Sequence, residues 1–230
     1  MHTMTVYLAD TKALDDPVLF NNIYAIVSDR RKEKTDRLIN RKDKMLSLGV
    51  EYLLFCACED NGIDCCRTEI KTDRYGKPYL ENNNFFFNLS HSEYRAMCVV
   101  SDTPAGCDVE KIKDADMAVA ENFFREDEYL YVKSAQTQLE KNDRFFRVWT
   151  LKESFMKCNG CTPEYQLGSF SVLNPPKEYE TGEYTDSNGY RYAWCVKTDI
   201  SKGSRRNNVK IISEEITFPR MKQRHQPCSL

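Results

Sequence analysis

Two short stretches carry side chains that could do chemistry. The first is Gly106-Cys107-Asp108-Val109-Glu110. On a strand, residues two apart share a face, so Asp108 and Glu110 point one way and Val109 points to the core. Like charges held close repel, and a cation between them removes that cost. The second stretch runs from Trp149 to Lys157, where Glu153 and Lys157, four apart, lie on one helix face. If that helix packs beside the strand, Glu153 becomes a third carboxylate and Lys157 a cation next to it. Such a set suits Mg²⁺ holding a diphosphate, because Mg²⁺ takes a few protein oxygens and completes its octahedron with phosphate and water.

The elements that position these groups follow from local patterns. The apolar run Met97–Val100 and the turn at Asp102-Thr103-Pro104 predict that 106–110 is the far strand of a hairpin. Aromatic bulk makes Phe85 to Leu89 a buried strand, ending in Ser90-His91-Ser92, where ligands commonly sit outside open sheets. Phe145, Trp149 and Met156 form the stripe of a helix that stops at Asn159-Gly160. The polar stretch Gln136–Asp143 reads as a loop before it. Met4 to Leu8 alternates as a first strand. Pro17 to Ile26 reads as a helix capped by Asp15 or Asp16. The charge run Asp29–Lys34 opens a helical pattern reaching Leu54. A short strand is expected at Thr68–Lys71, and short helices at Met117–Phe124 and from Arg125 to Ala135. Val119 and Phe123 read as core residues of the first of these. Tyr190–Lys197 and Val209–Ile216 read as strands of the second half, and Pro219 to Leu230 as a loose tail.

Composition excludes several classes. With 41% hydrophobic and 30% charged residues, the chain reads as globular rather than disordered. Its net charge of −2 gives no global electrostatic case for nucleic acid. The longest apolar run, Tyr52–Ala57, is too short to span a bilayer, and no secretory signal opens the sequence, so the cytoplasm is expected. For the ten cysteines, a zinc site competes with reduced thiols used as small hydrophobes. Only three histidines and an incomplete Cys-x-x-Cys pattern favour the thiols.

Four segments recur here in a fixed order: Gly76-Lys77-Pro78; Phe87-Asn88-Leu89-Ser90-His91-Ser92; Gly106-x-Asp108-Val109-Glu110; and Trp149-Thr150-x-Lys152-Glu153-Ser154-x-x-Lys157. Each alone is a weak signal, whereas all four together closely resemble the signature of the 4′-phosphopantetheinyl transferases of the Sfp type. The resemblance implies an α+β fold of two similar sheet-plus-helix lobes, 1–102 and 103–230, related by a pseudo-twofold axis with the active site in the cleft between them. It implies transfer of phosphopantetheine from coenzyme A to a serine of an acyl or peptidyl carrier protein, giving holo-carrier and 3′,5′-ADP. Asp108, Glu110 and Glu153 would hold Mg²⁺, with Mn²⁺ able to substitute. Glu153 would be the base, and Lys157 would serve the leaving phosphate. Coenzyme A would meet Arg31 and Lys34 near its 3′-phosphate, with Ser47, Lys77, Ser90 and His91. Val119 and Phe123 would face the carrier. A monomer with neither a nucleic-acid nor a membrane partner is implied. Leu46 stands where the family often has an arginine, and Cys161–Glu164 departs from its usual pattern. A non-catalytic coenzyme A-binding protein and a metal-dependent phosphohydrolase remain alternatives.

Overall fold

The computed structural model describes residues 3–64, 69–81, 85–161, 166–198 and 208–216. The first half opens with β1 (Thr3–Asp10), a 3₁₀ turn, α1 (Pro17–Ile26), α2 (Asp29–Arg37) and α3 (Arg41–Asp60). Asp16 caps α1, accepting from the N–H groups of Val18 and Leu19, with Pro17 in the first turn. The pattern expected as one helix from the charge run to Leu54 is two, broken at 38–40 and restarted at Asn40. The ribbon β2 (Ile70–Thr72) and β3 (Pro78–Leu80) follows, then β4 (Phe86–Ser92) and β5 (Arg95–Ser101). The second half holds β6 (Ala105–Lys111), α4 (Met117–Phe123), α5 (Glu126–Lys133), α6 (Gln138–Cys158), β7 (Tyr179–Thr185), β8 (Tyr190–Lys197) and β9 (Asn208–Glu214).

Three expectations are corrected. Residues 138–143 are helical, because Thr137 accepts from the N–H of Glu140 while Glu140 accepts from that of Gln136, a reciprocal cap that starts α6. β6 is not the hairpin partner of β5: both edges of β5 are taken, by β4 and β1, and β6 pairs with β8 instead. β9, expected in the second half's sheet, runs parallel to β1 at the edge of the first. The two sheets are therefore ordered β4-β5-β1-β9 and β6-β8-β7. Thr68 and the segment from Pro219 lie outside the described residues, as do residues 162–165.

The layers follow from side-chain alternation. Tyr7, Ala96, Cys98 and Val100 face α3, whereas Met4, Val6, Leu8, Met97 and Val99 face the other way. There they meet Cys107, Val109, Tyr192, Trp194 and Val196, so the two sheets share one buried core. The outer face of the second sheet packs on α6 through Phe155, Ala193 and Cys195. Six described cysteines are free thiols, five of them buried; Cys58 departs from the thiol reading and is disulfide-bonded. Among the described residues no helix is long and apolar enough to cross a membrane.

Candidate active site

The site forms where β4 meets β6. Asn88, Ser90 and Ser92 alternate along β4 and share one face. The Asn88 side-chain oxygen accepts from the N–H of Cys107 at 2.8 Å, Ser90 from Val109 at 3.4 Å and Ser92 from Lys111 at 3.2 Å. Side chains here do what a neighbouring strand's carbonyls would do. The two serines also donate, Ser90 to Asp108 Oδ1 at 2.8 Å and Ser92 to Glu110 Oε2 at 2.7 Å. Above this seam lies α6. A Cβ on Gly106 would collide with the backbone of Ser154 and Cys158, so the glycine lets helix and strand approach this closely.

That approach assembles an acidic centre with one ammonium. Lys157 Nζ lies 2.6 Å from Asp108 Oδ1 and 3.4 Å from Ser90 Oγ. Burial opposes its charge, but the Asp108 carboxylate outweighs burial and raises the Lys157 pKa. Glu153 is half-buried and, among the described residues, has no hydrogen bond or ion pair. Its pKa is raised by burial and by the charge of Asp108. Burial likewise raises Glu110, with the charge of Asp108 adding to it and the bond from Ser92 opposing it. Asp108 Oδ2 is buried and, among the described residues, has no hydrogen-bond partner.

A basic pocket of about 220 Å³ lies on the α3 side of β4, lined by Arg30, Arg31, Lys34, Phe87, Leu89 and His91 among others. Arg31 is held by Glu51, Nε to Oε2 at 2.6 Å, and the other Glu51 oxygen accepts from the N–H of Ser28 at 2.9 Å. Desolvation lowers the Lys34 pKa, as do the nearby guanidinium groups of Arg31 and Arg30. Desolvation also lowers His91, together with the charges of Lys34, Lys157 and Arg31. His91 lines the pocket beside Arg31 and Lys34, whose charges, with that of Lys157, make a field suited to anions.

The structure brings Arg31, Lys34 and His91 together, and Asp108, Glu110, Glu153 and Lys157 together. It turns other expected coenzyme contacts elsewhere. Lys77 Nζ donates to the carbonyls of Ala105 at 2.9 Å, Lys157 at 2.5 Å and Cys158 at 3.2 Å, which uses all three of its protons. It clamps the C-terminus of α6 to β6. Ser90 spends its one proton on Asp108 and accepts from Val109 and Lys157, so its hydroxyl is also saturated. Ser47 is buried and bonded to Thr35 at 2.9 Å, beneath Arg31. Val119 packs partly on the second-half core, as read, but Phe123 is 48% exposed and does not.

Comparison with known proteins bears on what this site is. Residues 104–210 match the family model of the 4′-phosphopantetheinyl transferase superfamily. The chain is 33% identical to the 4′-phosphopantetheinyl transferase gsp of Aneurinibacillus migulanus over 158 residues, covering 68% of this chain and 66% of that one. It is 31% identical to the 4′-phosphopantetheinyl transferase Sfp of Bacillus subtilis (strain 168) over 177 residues, covering 76% of this chain and 79% of the relative. The chain belongs to the 4′-phosphopantetheinyl transferase family. The match to the A. migulanus relative spans just under two thirds of its length.

Within this family member, three groups of positioning residues escaped the sequence reading. Ser92 repeats Ser90 two positions on, and Glu51 lies one helical turn after Ser47, so both had a periodicity that pointed to them. Lys152, inside a matched motif, forms a fully buried pair with Glu128 at 2.6 Å and donates to the Phe170 carbonyl at 2.7 Å. No local pattern marked Glu128 as its partner.

The residues fit a divalent cation in donor chemistry. An orphaned buried carboxylate oxygen on Asp108 and two carboxyl groups whose ionisation Asp108 opposes would each gain from one. Among the described residues no group of three or more histidine, cysteine, aspartate or glutamate side chains is placed to hold a metal ion, so the fit lies in donor chemistry and not in a preformed shell.

Proposed function

We propose that this chain transfers the phosphopantetheine of coenzyme A to a serine of an acyl or peptidyl carrier protein, releasing 3′,5′-ADP. The observation that carries the reading is the junction of an anion-attracting pocket with an acidic centre. Arg31, Lys34 and His91 lie on one side of β4, and Asp108, Glu110, Glu153 and Lys157 on the other. Arg31 and Lys34 bind the 3′-phosphate end of coenzyme A, and His91 meets the diphosphate. Asp108, Glu110 and Glu153 would hold Mg²⁺, or Mn²⁺ in its place, which when bound would offset charge growing on the diphosphate.

Glu153 takes the proton of the carrier's serine hydroxyl. Its raised pKa makes it a stronger base than an ordinary carboxylate. The serine oxygen bonds to the phosphorus that bears pantetheine, and the bond from that phosphorus to the bridging oxygen breaks. Lys157, kept protonated by Asp108, meets the charge on the departing phosphate. Phe123, exposed on α4, and Val119 behind it supply an apolar contact for the carrier. The long helices α3 and α6, each laid on a sheet, support two lobes related by a pseudo-twofold axis, with β9 returning to the first. One chain carries every group named, so a monomer acting in the cytoplasm suffices.

The test is mass spectrometry of an apo-carrier incubated with coenzyme A, Mg²⁺ and the enzyme. One phosphopantetheine should be added to a serine, and none with Asp108→Ala. Near-normal transfer by Asp108→Ala would remove the metal assignment. Coenzyme A cleaved without any carrier would mark a phosphohydrolase instead.

A further inference from the structure

We propose that Ser92 is a positioning residue for Glu110, so that the seam joining the two sheets also sets the metal-binding carboxylates. The proposal rests on the metal reading above and adds a residue to it. Three side chains of β4 tie down N–H groups of β6, but they are not equivalent. Asn88 faces Cys107 and only ties the strands. Ser90 and Ser92 each accept from a backbone N–H and donate to the carboxylate one residue before it, Asp108 or Glu110. A hydroxyl can do both at once, having one proton and two lone pairs. Docking the strands and aiming the carboxylates are therefore one event, made by the same oxygen atoms.

Ser92 isolates the effect better than Ser90. Ser90 also touches Lys157, whereas Ser92 does not line the basic pocket. The bond from Ser92 at 2.7 Å is the only hydrogen bond the Glu110 carboxylate makes among the described residues. With it, Oε2 is engaged and the other oxygen is left for a cation. Without it, the carboxylate swings freely, and the Lys111 N–H loses its partner as well. Residues that orient a metal-binding carboxylate typically change metal affinity by about 10–100-fold when removed.

The experiment measures Mn²⁺ binding to the full chain by electron paramagnetic resonance of the free ion, with coenzyme A present and a coenzyme A-only control subtracted, for wild type, Asp108→Ala, Ser92→Ala and Ser92→Thr. Ser92→Ala should raise the Kd about 10–100-fold. Ser92→Thr keeps the hydroxyl and suits a strand, so it should restore wild-type affinity. Recovery by threonine separates aim from mere loss of stability. If Ser92→Ala does not fold, Ser92→Cys takes its place, and its weak S–H donor should give an intermediate Kd. Wild-type affinity in Ser92→Ala, with binding lost in Asp108→Ala, would overturn the role of Ser92 and leave the metal site standing. Equal binding by Asp108→Ala and wild type, or none by either, would overturn the metal site and this inference with it.

Discussion

At the scale of single residues, Glu153 illustrates how function and stability pull apart. Burial and the charge of Asp108 raise its pKa, so ionised Glu153 is less at ease in the folded protein than in the unfolded chain. The stability it leaves intact at low pH is lost as pH rises through its folded pKa. Glu153→Gln should therefore unfold at a higher temperature than wild type at pH 8, with the gap closing near pH 4, while kcat falls by about 10²-fold or more. A variant that stays active and melts lower would make Glu153 half of a surface pair with Lys157. His91 shows the opposite arithmetic. Desolvation and three cations lower its pKa, and a bound phosphate would raise it. Binding of 3′,5′-ADP should then take up a proton and tighten as pH falls toward and below the ordinary histidine value of about 6.5. Calorimetry on His91→Ala should give a flatter pH dependence; an unchanged slope would remove His91 from the phosphate site. The carboxylates, Lys157 and His91 were legible in the sequence because their spacing on a strand, a helix and a strand end fixes their faces. The bonds that occupy Lys77 and Ser90 were not legible, because hydrogen-bond saturation depends on carbonyls and carboxylates that lie far along the chain.

At the scale of elements, α6 has two working sides. One presents Glu153 and Lys157 to the seam; the adjacent one buries Lys152 against Glu128, at the first turn of α5. Glu128 also accepts from the N–H groups of Arg125 at 2.8 Å and Val172 at 2.7 Å, so one carboxylate joins α5, α6 and the segment after 170. A buried pair of this kind adds little net stability compared with well-packed apolar residues, but breaking it leaves an unpaired buried charge. Lys152→Met should cost about 3–5 kcal/mol in urea unfolding, and the double variant Lys152→Met with Glu128→Leu should regain most of that loss. Equal losses in the single and double variants would mean the cost is packing alone. The start of α6 was legible: Thr137-x-x-Glu140 has the sequence of a capping box, and Thr137 accepting from Glu140 while Glu140 accepts from Gln136 outweighs the polar composition read as loop. The separation of β5 from β6 was not legible, since a short turn between two strands looks the same whether or not they pair.

At the scale of the whole molecule, the chain divides into two sheets but not into two independent units. Met4, Val6, Leu8, Met97 and Val99 of the first sheet share a core with Cys107, Val109, Tyr192 and Trp194 of the second. Arg95, at the start of β5, is paired with Asp10 in its own sheet and, at 3.3 Å, with Asp186 in the turn between β7 and β8. Lys77 reaches across from the loop before β3 to the carbonyls ending α6. β9 comes from the last part of the chain and completes the first sheet. This last pairing lay beyond the sequence because alternation marks a strand without naming its neighbour. A boundary near Ser101–Pro104 thus describes where the chain crosses over, not where cooperativity ends. Urea unfolding should be one transition, with tryptophan fluorescence, which reports Trp149 and Trp194 in the second half, coinciding with far-ultraviolet circular dichroism, which reports both sheets. Lys77→Met should lower the common midpoint, since it removes the ammonium that three carbonyls at the junction share. Fluorescence that changes at a different urea concentration from the dichroism, in wild type or in Lys77→Met, would mean that the halves unfold separately and that the shared core does not bind them into one unit.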